Sequence, residues 1–309
     1  MNRFLTLMQR EWLQHRTGWL VLMLAPTGLM LLLALLEGQG LGMHVRVDGN
    51  EGSLPPMHQL PLVLQTLGWT FATTMLSLVL VALVVLSQLP GQARRDVQDR
   101  SIEFWLSLPT SHVQSIGAPL LMHLIVLPGL ALSAALLGGL LVAMLAIISS
   151  QGVGAWLMQP WWQLLPSWLV VVGRVWLGLL LAVAWLSPLL LLTMAASAWL
   201  KRWAIPVVSA SLLLGVHWLD AQLPLPVVMP ALTRMVSEAA SALFATQAFV
   251  GLHIQGPSEL AEMLPALSGL LLRDALRLLG HAFTPAFGLA LLFGALGFGL
   301  LVLRRQRTG

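Results

Sequence analysis

The stretch Arg94-Arg95-Asp96-Val97-Gln98-Asp99-Arg100-Ser101-Ile102-Glu103-Phe104-Trp105-Leu106-Ser107-Leu108-Pro109-Thr110-Ser111 is the one dense cluster of charge in this chain. Three basic and three acidic side chains fall within ten residues, and no further Asp, Glu, Lys or Arg follows until Arg174. Long apolar runs lie on either side. A charged segment between two such runs stays in water while its neighbours do not. It therefore reads as a polar loop at a membrane face, and its neighbours as membrane helices.

The composition points the same way. Hydrophobic residues make up 58% of the 309 and charged residues 9%, against roughly 25% charged in a soluble domain. Such a chain cannot clothe a water-facing surface. It has no cysteine, which excludes a disulfide framework and thiolate chemistry. Arg3, Arg10 and Arg16 precede the first apolar run as they would in a signal peptide. That run is long and lacks a small-x-small cleavage site, so it reads as a retained first span.

A crossing helix takes about 20 apolar residues. Six stretches qualify, at roughly 18–36, 62–90, 116–148, 167–200, 203–219 and 282–303. Arg3, Arg10 and Arg16, then Arg94, Arg95 and Arg100, then Lys201 and Arg202, then Arg304, Arg305 and Arg307 fall on one side of these spans. They are eleven of the sixteen basic residues. The positive-inside rule makes that side cytoplasmic and places both termini there. The 37–61 and 149–166 loops are then outside, and Trp156, Trp161, Trp162 and Trp168 form an interfacial belt at the second.

Two further segments are amphipathic. In the first 17 residues, Phe4, Leu5, Met8 and Trp12 oppose Arg3 and Arg10, which predicts an interfacial helix that turns into the membrane near Gly18. The 220–281 segment carries Arg234, Glu238, Glu259, Glu262, Arg273, Asp274 and Arg277. Charges at 273–277 cost about 2.5–3.5 kcal/mol each at mid-bilayer, which argues against a seventh span. Leu267, Leu270, Leu271 and Leu278 recur at helical spacing, with Arg273 and Arg277 on another face. The segment reads as surface-lying or re-entrant helices on the outer side. The expected fold is an all-α integral membrane protein with six transmembrane helices in a single domain, 1–309. Its parts are an interfacial helix at 1–17, spans one to five over 18–219 with the charged loop at 91–115, an outer helical segment at 220–281 and span six at 282–303.

Within the charged loop, Arg95 with Asp99 and Asp96 with Arg100 are i,i+4 pairs of opposite sign, so the segment supports itself as a helix. Ile102, Trp105 and Leu106 give it an apolar side. Pro109 stops it, and Ser111 can cap the helix that becomes span three. A short rigid helix tied to a membrane helix transmits a push. An ordinary loop helix seated at the headgroups has the same pattern.

Other chemistry finds no foothold. There is no G-x-x-x-x-G-K-[ST] loop for phosphates, no His-Glu-x-x-His and no G-x-S-x-G elbow. His123 and His217 read as packed side chains, and the methionines as core. Arg174 is either a pathway or interface contact or a side chain reaching back to the headgroups. Gly138 and Gly139, with Gly288, Gly294 and Gly299, would allow close helix approach.

Asp99-Arg100-Ser101-Ile102-Glu103-Phe104 and Ser107-Leu108-Pro109-Thr110-Ser111 resemble the cytoplasmic-loop signature of type-2 ABC permeases, the membrane subunits of many ABC exporters. Arg10-Glu11-Trp12 in an N-terminal interfacial helix, six spans and a helical outer segment before the last span fit the same family. The resemblance implies a coupling helix at 94–111, with Arg95, Asp99, Arg100, Glu103, Phe104, Ser107 and Pro109 meeting the cleft of a separate ATPase. It also implies an ABC ATPase dimer that binds ATP and Mg. A second permease copy, identical or related, would complete the pathway. The chain itself would hold no cofactor and have no catalytic activity or nucleic-acid partner. It would sit in a bacterial inner membrane and move a hydrophobic or amphipathic substrate. A membrane scaffold or sensor that recruits a soluble partner through the same loop is the other expectation.

Overall fold

The computed structural model describes residues 3–38, 57–98, 111–200, 203–224, 226–244 and 263–308. Among these the structure is helical, with no strand. The helices are α1 (Arg3–Gly38), α2 (Leu62–Gln98), α3 (His112–Gln151), α4 (Val153–Leu157), α5 (Trp161–Leu200), α6 (204–222), α7 (Val228–Phe244), α8 (Leu264–His281) and α9 (Pro285–Thr308). Five of them, α1, α2, α3, α5 and α9, contain stretches long and apolar enough to cross a membrane. Large apolar side chains such as Leu24, Leu32, Leu83, Leu169 and Leu292 stand exposed along them. That surface would be an aggregation hazard in water and is what lipid contact requires. The expected fifth span at 203–219 is helical as α6, but α6 is not among the five.

Three expectations need correction. The predicted turn near Gly18 is absent, because α1 runs unbroken from Arg3 to Gly38. Its N-terminal third is packed rather than laid on a surface. Met8 and Trp12 rest on a cluster of Trp19, Leu22, Val81, Met122, Leu127 and Ala131, while Leu5 is exposed. The 149–166 loop shrinks to the short α4 and a turn, with Trp156 and Trp161 in edge-to-face contact at 4.6 Å.

Four apolar clusters hold the bundle together. One joins α1, α2 and α3 around Trp19 and Leu127, and a second joins the same helices around Trp69 and Val142. Near the charged-loop end, Leu89, Leu120, Leu124, Leu190, Met194 and Leu301 bind α2, α3, α5 and α9. Leu181, Trp185, Ala239, Ala242, Leu278 and Phe287 bind α7, α8 and α9 to α5. Of the glycines singled out, Gly139 meets the Thr70 backbone and Gly138 meets Thr27. Gly294 meets Ser187, whereas Gly288 and Gly299 face open space.

Two prolines inside these helices have visible compensation. Pro188 offers no N–H to the Ala184 carbonyl, and the Ser187 hydroxyl donates to it instead at 2.8 Å. In α3, a regular helix would drive the Pro128 ring against the Leu124 carbonyl. The preceding turn, Met122–Val126, is wound as a π-helix, and Leu127 N–H donates to Met122 O five residues back.

Asp220 joins α6 to α7. Its carboxylate accepts the backbone N–H groups of Val227 and Val228 at 2.8 Å and of Met229 at 2.6 Å. These groups begin α7 and lack partners within it. Desolvation raises the Asp220 pKa, but the hydrogen bonds from Met229, Val228 and Val227, with His217 nearby, outweigh it and leave the group below its ordinary value. A depressed carboxyl stabilises the fold above its unfolded pKa and releases that stabilisation as pH falls through the folded one. Amide exchange at 227–229, corrected for intrinsic rates, is therefore expected to rise in acid. Asp220→Asn is expected to give the same rise at neutral pH. Unchanged protection in both cases would mean that the carboxylate does not hold this corner.

Candidate functional site

Asp99, Arg100, Glu103, Phe104, Ser107 and Pro109 lie outside the described residues. What flanks them is clear. α2 continues unbroken through Arg94, Arg95 and Asp96 to Gln98, so the charged segment starts as the end of α2. On the far side, Ser111 caps α3 as expected, and its hydroxyl accepts the Gln114 N–H at 3.2 Å. Two long helices thus enter and leave the loop directly.

Arg174 does not reach back to the headgroups. It is 5% exposed; its Nε donates to Asp274 Oδ2 at 2.8 Å, and its Nη2 lies 2.7 Å from the same oxygen in an ion pair. Nη1 donates to Ala242 O, and Nη2 also donates to Ser241 O at 3.2 Å. Ser241 and Ala242 lie in the last turn of α7, where carbonyls run out of intrahelical partners and favour a cation. One guanidinium therefore ties α5, α7 and α8 together. The close approach depends on Gly178, since a Cβ there would strike Ala242 O and the Arg174 guanidinium.

Asp274 is 1% exposed and sits on the buried stripe of α8 with Leu271 and Leu278. Arg273 and Arg277 are exposed, as their separate face required. Grouping the three charges by sequence distance hid that one of them points inward. The signal was available, because 271, 274 and 278 follow a helical i, i+3, i+7 repeat.

Beside this clasp is a cavity of about 650 Å³. Its walls come from α2, α3, α5, α7 and α8, at the end of the bundle away from the charged loop. They are mostly apolar, with Phe71, Leu140, Trp168 and Leu270 among them, and Arg174 lies at the edge. Thr66, Thr70, Thr74 and Ser167 supply the other polar lining. The Thr70 and Thr74 hydroxyls donate to the carbonyls of Thr66 and Thr70, both at 2.7 Å, which leaves methyl groups and satisfied hydroxyls. A ligand held here would be recognised mainly by shape and apolar contact. This threonine stripe went unnoticed in the sequence, although 66, 70 and 74 recur every fourth residue.

His123 is packed, as expected, but it has company. Glu11 and His15 of α1 lie beside it, and all three belong to the end of the bundle nearest the charged loop. Comparison with family models, curated proteins and solved structures finds no match for this chain.

Proposed function

We propose that this chain is the membrane permease subunit of a type-2 ABC exporter. It moves a hydrophobic or amphipathic substrate with ATP hydrolysed by a separate ATPase dimer. The observation that carries the proposal is the charged loop. Its sequence resembles the coupling signature, and it is fed by one long helix and followed at Ser111 by another. A displacement felt at Gln98 or at Ser111 passes straight into α2 or α3. The apolar cavity supports the substrate class, and the missing phosphate loop supports a separate ATPase.

The proposed topology has six spans with both termini in the cytoplasm of a bacterial inner membrane, and a second permease copy beside this one. It takes α6 as the fifth crossing. Its crossing part, 204–219, reaches about 24 Å at about 1.5 Å per residue, short for the roughly 30 Å hydrocarbon core, and Asp220 lies beyond it at the outer interface.

The test is charge reversal at Glu103. Glu103→Lys is expected to lower recovery of the co-purifying ATPase, or to leave ATP hydrolysis running without transport. Membrane insertion should be unchanged, because the site lies outside every span. A loop resting on anionic headgroups would tolerate the lysine. Full recovery of a coupled complex would overturn the assignment. A partner that is recovered but hydrolyses no ATP would favour the scaffold.

A further inference from the structure

The N-terminal helix buries an acid where an apolar residue would serve its packing better. Glu11 is 5% exposed, on the face of α1 that carries Leu7, Trp19 and Leu22. His15 follows one turn later on the same face, with its Nε2 4.0 Å from Glu11 Oε2. His123, 2% exposed, enters from the π-helical turn of α3 and brings its Nε2 to 3.4 Å from the same oxygen. The two imidazole rings meet edge to face at 4.9 Å, and Trp19 closes the far side of His123 at 6.0 Å. One donor atom from each of the three residues lies within 4.8 Å of the other two.

Neither ring nitrogen of His123 makes a hydrogen bond, and the 3.4 Å approach of Glu11 lacks the geometry of one. Buried imidazole nitrogens are otherwise nearly always bonded. Two imidazoles and a carboxylate around one point are the donor set of first-row divalent metals, whereas Mg²⁺ and Ca²⁺ call for oxygen alone. Bonds of about 2.0–2.2 Å in a tetrahedral site put neighbouring donors about 3.3 Å apart. The Glu11–His123 separation is already close to that value, and His15, 4.0 Å from Glu11 and within 4.8 Å of His123, closes the site by an inward movement of up to about 1.5 Å. The bulge carrying His123 is of a kind often found at functional positions.

We infer that Glu11, His15 and His123 form a binding site for a transition-series divalent cation of the Zn²⁺ class. The ion fastens the N-terminal third of α1 to the start of α3. The inference does not depend on the transport assignment. Other histidine–carboxylate pairs differ. The histidines of the His58–Glu37 and His281–Glu238 pairs are half-exposed, and neither pair has a third ligand among the described residues.

The experiment uses the full chain, tag-free, in detergent micelles and stripped of metal. Titration with Zn²⁺ is expected to show one saturable site per chain, and Co²⁺ should give the intense visible bands of a four-coordinate nitrogen and oxygen site. Glu11→Gln and His123→Gln should each weaken Zn²⁺ at least about tenfold, at or above the loss seen when only a supporting partner of a ligand is removed. His281→Ala should leave binding unchanged. If a buried variant fails to fold, His15→Ala keeps the Glu11–His123 contact and must show the same tenfold loss as a monodisperse protein. Absence of saturable uptake in the wild type would overturn the site. So would equal affinity in His15→Ala, and either result would leave Glu11 and His123 as a buried side-chain contact alone.

Discussion

Asp274→Ala is expected to destabilise the protein by about 3–5 kcal/mol, the usual loss when one partner of a buried ion pair is removed. The reason is what remains. Arg174 would keep its charge with Ser241 O and Ala242 O as its only described partners, 5% exposed among apolar side chains. Unfolding of the purified protein in micelles measures the effect. The double variant Arg174→Leu with Asp274→Leu should recover most of the loss, because two apolar side chains of similar volume carry no desolvation cost. A single variant as stable as the parent would show that the clasp contributes nothing. A double variant no better than the single would show that shape, not charge, was lost.

Gly139→Val is expected to cost about 1–3 kcal/mol, the range for overpacking a tight contact. Membrane helices close on one another through small residues, with little hydrophobic drive to push them back together. Here a Cβ would sit 2.5 Å from Thr70 Cα, and backbone cannot rotate aside as a side chain can. α2 and α3 must separate. The effect should reach Thr70 and Thr74 on the cavity wall, so a solvatochromic probe in the cavity should report a wetter environment. Gly288→Val meets open space and is the control. Equal stability of the two variants would remove Gly139 from the packing argument.

Both effects show what could be read from the sequence. Spans α1, α2, α3, α5 and α9 were legible because an apolar run of membrane length has few alternative uses. Ser111 was legible as a cap because the signal is local. Asp274 and Glu11 were not. Asp274 was counted as a charge that keeps out of the membrane and Glu11 only as part of an interfacial helix, yet each is turned inward toward a residue from another part of the chain. Arg174 and Asp274 are separated by 100 positions, and no local pattern links them. The unbroken α1 was missed for a related reason. Arg3 and Arg10 made its first part look like a surface helix, while Glu11 and His15 on the inner face found company in α3. The charges in the loop at 99–110 carry the functional reading from their sequence.

The wide turn at Met122–Val126 has an evolutionary corollary. A π-turn holds one residue more than the same length of α-helix needs. Loss of a single residue there would let the hydrogen bonds close in regular register, yet everything upstream would swing by about 100° around the helix axis. Ala118 and Leu120 would rotate out of their buried positions, and the Ser111 end would meet the loop from a different bearing. Relatives that share this architecture should therefore vary freely in the length of surface connections and hold the residue count between Ser111 and Pro128 constant. A one-residue gap in that interval would mark a chain whose loop is aimed at a differently placed partner.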